Sequence, residues 1–128
     1  MRCHDELELK PEPAEARRAR CHTRDVLESW SLGELNEVAE LVVSELVTNA
    51  VAHTTSPARL RLVLEEALLV ELIDTSSLPP EVHQALDDEE HGRGLALVDA
   101  FAADWGWRPD AGGGKTTWAR LDVPALIR

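Results

Sequence analysis

The stretch Glu45-Leu46-Val47-Thr48-Asn49-Ala50-Val51-Ala52-His53 carries two patterns at once. Glu45, Asn49 and His53 recur at i, i+4 and i+8, which sets them in one polar line along a helix. Val42, Val43, Leu46, Val47, Ala50 and Val51 flank that line with aliphatic side chains on both sides. A carboxylate and an amide among buried aliphatics are costly unless something satisfies them. A hydrated magnesium ion would do so: Asn49 offers a hard carbonyl oxygen, and Glu45 can hold a water or take a proton. The alternative is a helix edge, where the polar residues meet solvent or cap a neighbour.

Working outward, the helix runs from 34 to about 53, with Leu35, Val38, Val42, Leu46 and Ala50 on its main apolar stripe. Upstream, 13–30 is rich in Ala, Arg and Glu and reads as an amphipathic helix, broken at 31–33. Before Pro11, Leu7 and Leu9 alternate with Glu6 and Glu8, the pattern of a short strand. Downstream, 60–64 and 68–73 are strands whose even positions are apolar, with Arg61 and Glu71 on the other face. The short Glu65-Glu66-Ala67 joins them as an antiparallel hairpin. Periodicity is lost from 74 to 91, a loop of ligand-covering length. A third helix is expected at 95–103, then strands near 104–108 and 115–123 around a flexible Gly112-Gly113-Gly114. No repeat or linker divides the chain, so residues 1–128 form one domain. The expected fold class is α+β: a two-layer sandwich in which about three helices cover one face of a mainly antiparallel mixed sheet.

Composition narrows the function classes. A chain of 128 residues supports one well-buried core, and a net charge of −11 lacks the basic footprint a nucleic-acid binder needs. No apolar run is long enough for a membrane span and no signal peptide is evident, so a cytoplasmic protein is expected. Cys3-His4 and Cys21-His22 together could supply zinc ligands. Their spacing matches no usual finger pattern, and a mobile terminus beside a helix-surface pair is the preferred reading. The cluster Arg17, Arg18 and Arg20 is either a contact for an acidic partner or a solvated face balancing nearby glutamates.

Two further features carry chemistry. By parity Asp74 shares the apolar face of Leu68, Val70 and Leu72, where its carboxylate can accept a hydrogen bond from a ligand amine such as that of adenine. Gly92-Arg93-Gly94 opens a helix, where free amides and the dipole attract phosphate and Arg93 can add a charge-assisted bond. Each alone is equally well a strand-end turn or a plain glycine turn. Neither a Rossmann fingerprint nor a Walker motif is present.

Order and spacing together are more specific than the parts. The Glu45-to-His53 segment, then Asp74, then Gly92-Arg93-Gly94-Leu95-Ala96-Leu97-Val98, then a Gly-Lys-Thr strand, resembles the GHKL (histidine-kinase-like) ATPase superfamily. Within it the chain looks like the stand-alone anti-sigma-factor serine/threonine kinases. The resemblance spans about 7–123 and implies the Bergerat fold. It also implies ATP and Mg2+, with Asn49 as magnesium ligand, Glu45 as general base and Asp74 on the adenine amine. Gly92 and Gly94 would frame the phosphates, Arg93 would assist them, and His53 would lie beside the nucleotide. The chain departs from the pattern in two places. Thr75-Ser76-Ser77-Leu78-Pro79 stands where glycines are usual, and Lys115 follows Gly114 where threonine is usual. Thr116 is the nearest substitute in sequence and Thr117 the better one by strand parity.

The resemblance therefore implies a kinase that phosphorylates a serine of an anti-sigma-antagonist (STAS-type) protein, controls a sigma factor and forms a homodimer. The rivals are a non-catalytic nucleotide-dependent switch and a detached histidine kinase catalytic domain. Against the latter, the chain has no room for a phosphoacceptor hairpin, and His22 stands alone on the first helix.

Overall fold

The structure is a computed structural model, and it describes residues 2–80 and 94–123. Five strands form one sheet: β1 (Cys3–Leu9), β2 (Ala58–Leu64), β3 (Leu68–Asp74), β4 (Asp104–Pro109) and β5 (Lys115–Leu121). They lie in the order β1-β2-β3-β5-β4, and each of the four pairings is antiparallel, so among the described residues no parallel pair makes the sheet mixed. Helices α1 (Glu15–Ser29), α2 (Asn36–His53) and α3 (Gly94–Phe101) complete the α+β sandwich.

Alternation in the strands decides which face is covered. Leu60, Leu62, Leu64, Leu68, Val70 and Leu72 point to the helices and are almost solvent-free, together with Ala119 and Leu121 of β5. The opposite face carries charge instead: Arg61 sits across from Glu71 and its Nε donates to Oε1 at 2.6 Å. Arg108 reaches the other oxygen of Glu71 at 3.4 Å, so this nearly buried carboxylate has a cation on each side.

The ends of α1 are set locally. Ala16, Ala19, Thr23, Val26 and Leu27 recur at helical spacing and are buried. The helix stops at Ser31, which adopts φ 60. Leu32 N–H then donates to the Leu27 carbonyl at 2.7 Å, and Ser31 N–H to that of Glu28 at 3.1 Å. These are the paired bonds of a Schellman motif, and the buried Leu27 and Leu32 complete its hydrophobic contact. A single 3-10 turn, Gly33–Leu35, leads into α2.

Helix α2 is the middle of the helical layer, touching α1 on one side and α3 on the other while packing on β3 and β5. That placement explains its broad apolar surface: Ala39, Val42, Val43, Leu46, Val47 and Ala50 are all buried. Arg24 clamps Glu40 with two hydrogen bonds of 2.8 and 2.9 Å, and Arg20 donates to Ser44, which ties α1 to α2. Arg18 is likewise engaged within the chain, on the Glu8 carbonyl and the Glu15 carboxylate.

Two expectations are corrected. The Cys3-His4 end is the paired edge strand β1 rather than a mobile terminus, because its apolar alternation extends the sheet. His22 binds Asp5 of that strand, fastening α1 to the edge. Gly112-Gly113-Gly114 forms part of a hairpin turn closed by Asp110 N–H to the Gly114 carbonyl and Gly113 N–H to the Asp110 carbonyl. Positive φ at Gly113 and Gly114 is what that turn demands. Among the described residues, no helix is long and apolar enough to cross a membrane.

Candidate active site

Glu45 and Asn49 lie one turn apart on α2, both half-buried, between the buried Val42-Leu46-Ala50 line and the exposed Thr48 and Ala52. Burial raises the proton affinity of the Glu45 carboxyl above the ordinary glutamate value. The cause is desolvation: the charged form loses water it would otherwise hold. His53 is the last residue of α2, and its side chain lies outside the described residues.

Past His53 the chain turns into β2. Thr54 is extended, its Oγ1 accepts the Ser56 N–H at 3.0 Å, and it meets Thr75 Oγ1 at 2.8 Å. This bond links the end of α2 to the segment after β3. Between them lies a groove of about 630 Å³ lined by Val51, Ala52, Thr54, Thr55, Ser56 and 75–77. Its hydroxyl lining comes from both walls, Thr54, Thr55 and Ser56 on one side and Thr75, Ser76 and Ser77 on the other, the latter in the stretch where the resembling family carries glycines.

Asp74 lies on the helix-facing side where parity puts it, but it is already engaged. Its Oδ1 accepts the Ser76 N–H at 2.8 Å and the Lys115 Nζ at 3.1 Å, and both side chains of the ion pair are 1% exposed. Asp74 and Lys115 are direct cross-strand partners at the end of the β3–β5 ladder. Gly114 makes the approach feasible: a Cβ there would stand 2.3 Å from the Asp74 carbonyl oxygen. The sequence reading saw Lys115 only as a departure from pattern. The missed signal was its parity with Thr117, which puts both on the covered face.

The two candidate threonines are separated by the same alternation. Thr117 lies on the inner face opposite Leu72, whereas Thr116, also buried, lies on the other face of the strand and donates to both oxygens of Asp110 at 3.1 Å. Gly94 is the first residue of α3, which packs on α2. Gly92 and Arg93 lie outside the described residues.

The donor set bears on the metal. No group of three or more His, Cys, Asp or Glu among the described residues could hold an ion. Magnesium does not need one, because it keeps waters and takes its remaining ligands from phosphates. A single Asn49 carbonyl beside a desolvated Glu45 fits that habit.

The family profile for the histidine kinase-like ATPase domain matches residues 9–121, and the chain belongs to this family. Membership implies ATP binding, and the five-stranded antiparallel sheet under three helices is consistent with the family's Bergerat fold. Domains of this family bind ATP with Mg2+. No curated protein is recognisably similar in sequence.

Proposed function

We propose that the chain is a protein serine/threonine kinase that phosphorylates a serine of an anti-sigma-antagonist (STAS-type) protein and alternately sequesters a sigma factor. The observation that carries this reading is the half-buried Glu45 one turn before Asn49, with its proton affinity raised by desolvation. A general base works best when its proton affinity is tuned toward the working pH, and burial moves a glutamate in that direction. In this role Glu45 takes the proton of the substrate hydroxyl as the hydroxyl oxygen attacks the terminal phosphorus of ATP and the bond from that phosphorus to the bridging oxygen breaks, releasing ADP. Asn49 would hold magnesium, which supplies charge neutralisation at the phosphates when bound. Asp74 would face the base amine, and the backbone amides at the start of α3, with Gly92, Arg93 and Gly94, would cradle the phosphates.

Incubation with labelled ATP and a candidate antagonist tests the assignment. Transfer is expected with the natural chain and lost in Glu45→Gln; undiminished transfer in that variant removes Glu45 from the role. Homodimer formation belongs to the same proposal, and a monomer by light scattering at assay concentration ends it.

One observation favours a second reading, a non-catalytic switch that binds nucleotide and a partner. The segment after Asp74 reads Thr75-Ser76-Ser77-Leu78-Pro79, without the glycines usual there. Calorimetry followed by a turnover assay separates the two: tight nucleotide binding with no transfer to any partner decides for the switch.

A further inference from the structure

Thr54 and Thr75 line the groove at the end of α2, and the proposed chemistry leaves both unused. Thr54 directly follows α2, which carries Glu45 and Asn49, and Thr75 directly follows Asp74 at the end of β3. Their hydroxyl oxygens meet at 2.8 Å across 21 positions of chain. The bond is backed on both sides. Thr54 Oγ1 accepts the Ser56 N–H at 3.0 Å, which ties it to the entry of β2. On the other side Asp74 Oδ1 accepts the Ser76 N–H at 2.8 Å, and Ser76 Oγ accepts the Leu78 N–H at 3.1 Å. The stretch 74–78 is thus folded by successive side-chain-to-backbone bonds. Glycines there would leave the backbone free to sample many conformations, whereas these bonds hold it in one.

We propose that the Thr54–Thr75 bond is a clasp that sets the spacing of the nucleotide site before the ligand arrives, joining α2 with Glu45 and Asn49 to β3 with Asp74. The inference rests on the nucleotide reading of those three residues. Both threonines are positioning residues, acting through the elements they join rather than on the reacting atoms. Apolar packing brings α2 onto β3, but that attraction is non-directional. A hydrogen bond between the two element ends adds direction, because it weakens steeply away from its preferred geometry. A site already held in its binding arrangement loses less conformational freedom when the ligand binds, and so binds it more tightly. Thr75 is exposed, so water competes for its hydroxyl and keeps the effect modest.

The test is calorimetric titration of the full chain with ATP and magnesium, in a double-mutant cycle of Thr54→Val and Thr75→Val. Each variant is expected to bind about 2- to 5-fold more weakly, the low end of what one hydrogen bond contributes. The double variant should bind no more weakly than Thr54→Val alone, since both changes break the same bond. Thr75→Ser should restore the natural affinity, because the hydroxyl returns. Additive losses, or no rescue by serine, overturn the clasp. Unchanged affinity in both valine variants, with only the melting temperature lowered, marks a merely structural bond and overturns it while leaving nucleotide binding intact. If the natural chain binds no ATP, the nucleotide reading falls and this inference with it. Should a variant not fold, amide hydrogen exchange of the natural chain decides. The amides of Ser56, bonded to Thr54, and of Ser76, next to Thr75, are expected to be protected without nucleotide and to change little on saturation. Fast exchange of either without nucleotide shows a segment that is not held in advance, and that overturns the proposal.

Discussion

The tight approach of β5 to the end of β3 predicts a graded response to alanine across the three consecutive glycines of the last hairpin. At Gly112 nothing lies within 4 Å of an added Cβ and φ is not positive, so Gly112→Ala should be neutral or stabilising. The gain, up to about 1 kcal/mol, comes from restricting the unfolded chain. Gly113 has φ +94 with open space around it, so Gly113→Ala meets backbone strain alone. Left-handed strain of about 1–2 kcal/mol, offset by the same unfolded-state gain, leaves a net loss of about 1 kcal/mol. Gly114 combines φ +81 with a Cβ position 2.3 Å from the Asp74 carbonyl oxygen and 3.1 Å from Thr75 Cα. Those atoms are backbone and cannot rotate aside, so the strand ends must separate. Overpacking of this kind adds about 1–3 kcal/mol, for a total loss of about 2–4 kcal/mol. For a domain of this size that lowers Tm by roughly 10 °C. Thermal melts by circular dichroism, with urea titrations to verify an unchanged m-value, give the ranking. If Gly114→Ala melts together with Gly113→Ala, the close approach is wrong, and so is the placement of Lys115 against Asp74.

Other outcomes follow from single sites. Ser31→Gly should stabilise the chain by about 0.5–1 kcal/mol in urea denaturation, since glycine relieves the left-handed C-terminal position of α1. Leu72→Ala should cost about 2–5 kcal/mol in the same assay, because its side chain is almost fully buried at the centre of the sheet. Arg61→Ala leaves Glu71 with the longer Arg108 contact alone and should cost about 1–2 kcal/mol, the partial exposure of Arg61 keeping the figure modest. Glu45 gives a pH signature. Its folded-state proton affinity is raised, so the folded chain binds more protons than the unfolded chain just above the ordinary glutamate value of about 4.5, and stability falls as pH rises through that window. Glu45→Gln should therefore be more stable than the natural chain at neutral pH, with the difference shrinking as pH falls toward 4.5 and absent below it; a difference that grows on acidification would refute the desolvation argument.

Much of this protein was legible in its sequence, and the reason is that periodicity is local. The alternation in 60–64 and 68–73 assigned Leu62, Val70 and Leu72 to the covered face because successive strand side chains point to opposite sides. The same rule put Asp74 among them and preferred Thr117 to Thr116 for the inner face. The i, i+4 spacing of Glu45 and Asn49 likewise needed nothing but the helix repeat, and family membership adds ATP binding to it. What the helix repeat does not contain is depth. Only the packing of α2 between α1 and α3 decided that Glu45 is half-buried and hence shifted in proton affinity.

The partner of Asp74 is the plainest case of what sequence alone leaves undecided. Parity could say that both Asp74 and Lys115 face inward, but not that they meet across 41 positions of chain. That depends on the register of β3 against β5, a ladder that ends with Gly114 in close contact with the Asp74 carbonyl. The sequence determined the elements, their buried faces and the polar line on α2, because these repeat every two or 3.6 residues. The tertiary structure decided which charge neutralises which, because the cost of burying a charge is relieved only by a group brought within hydrogen-bond distance in space.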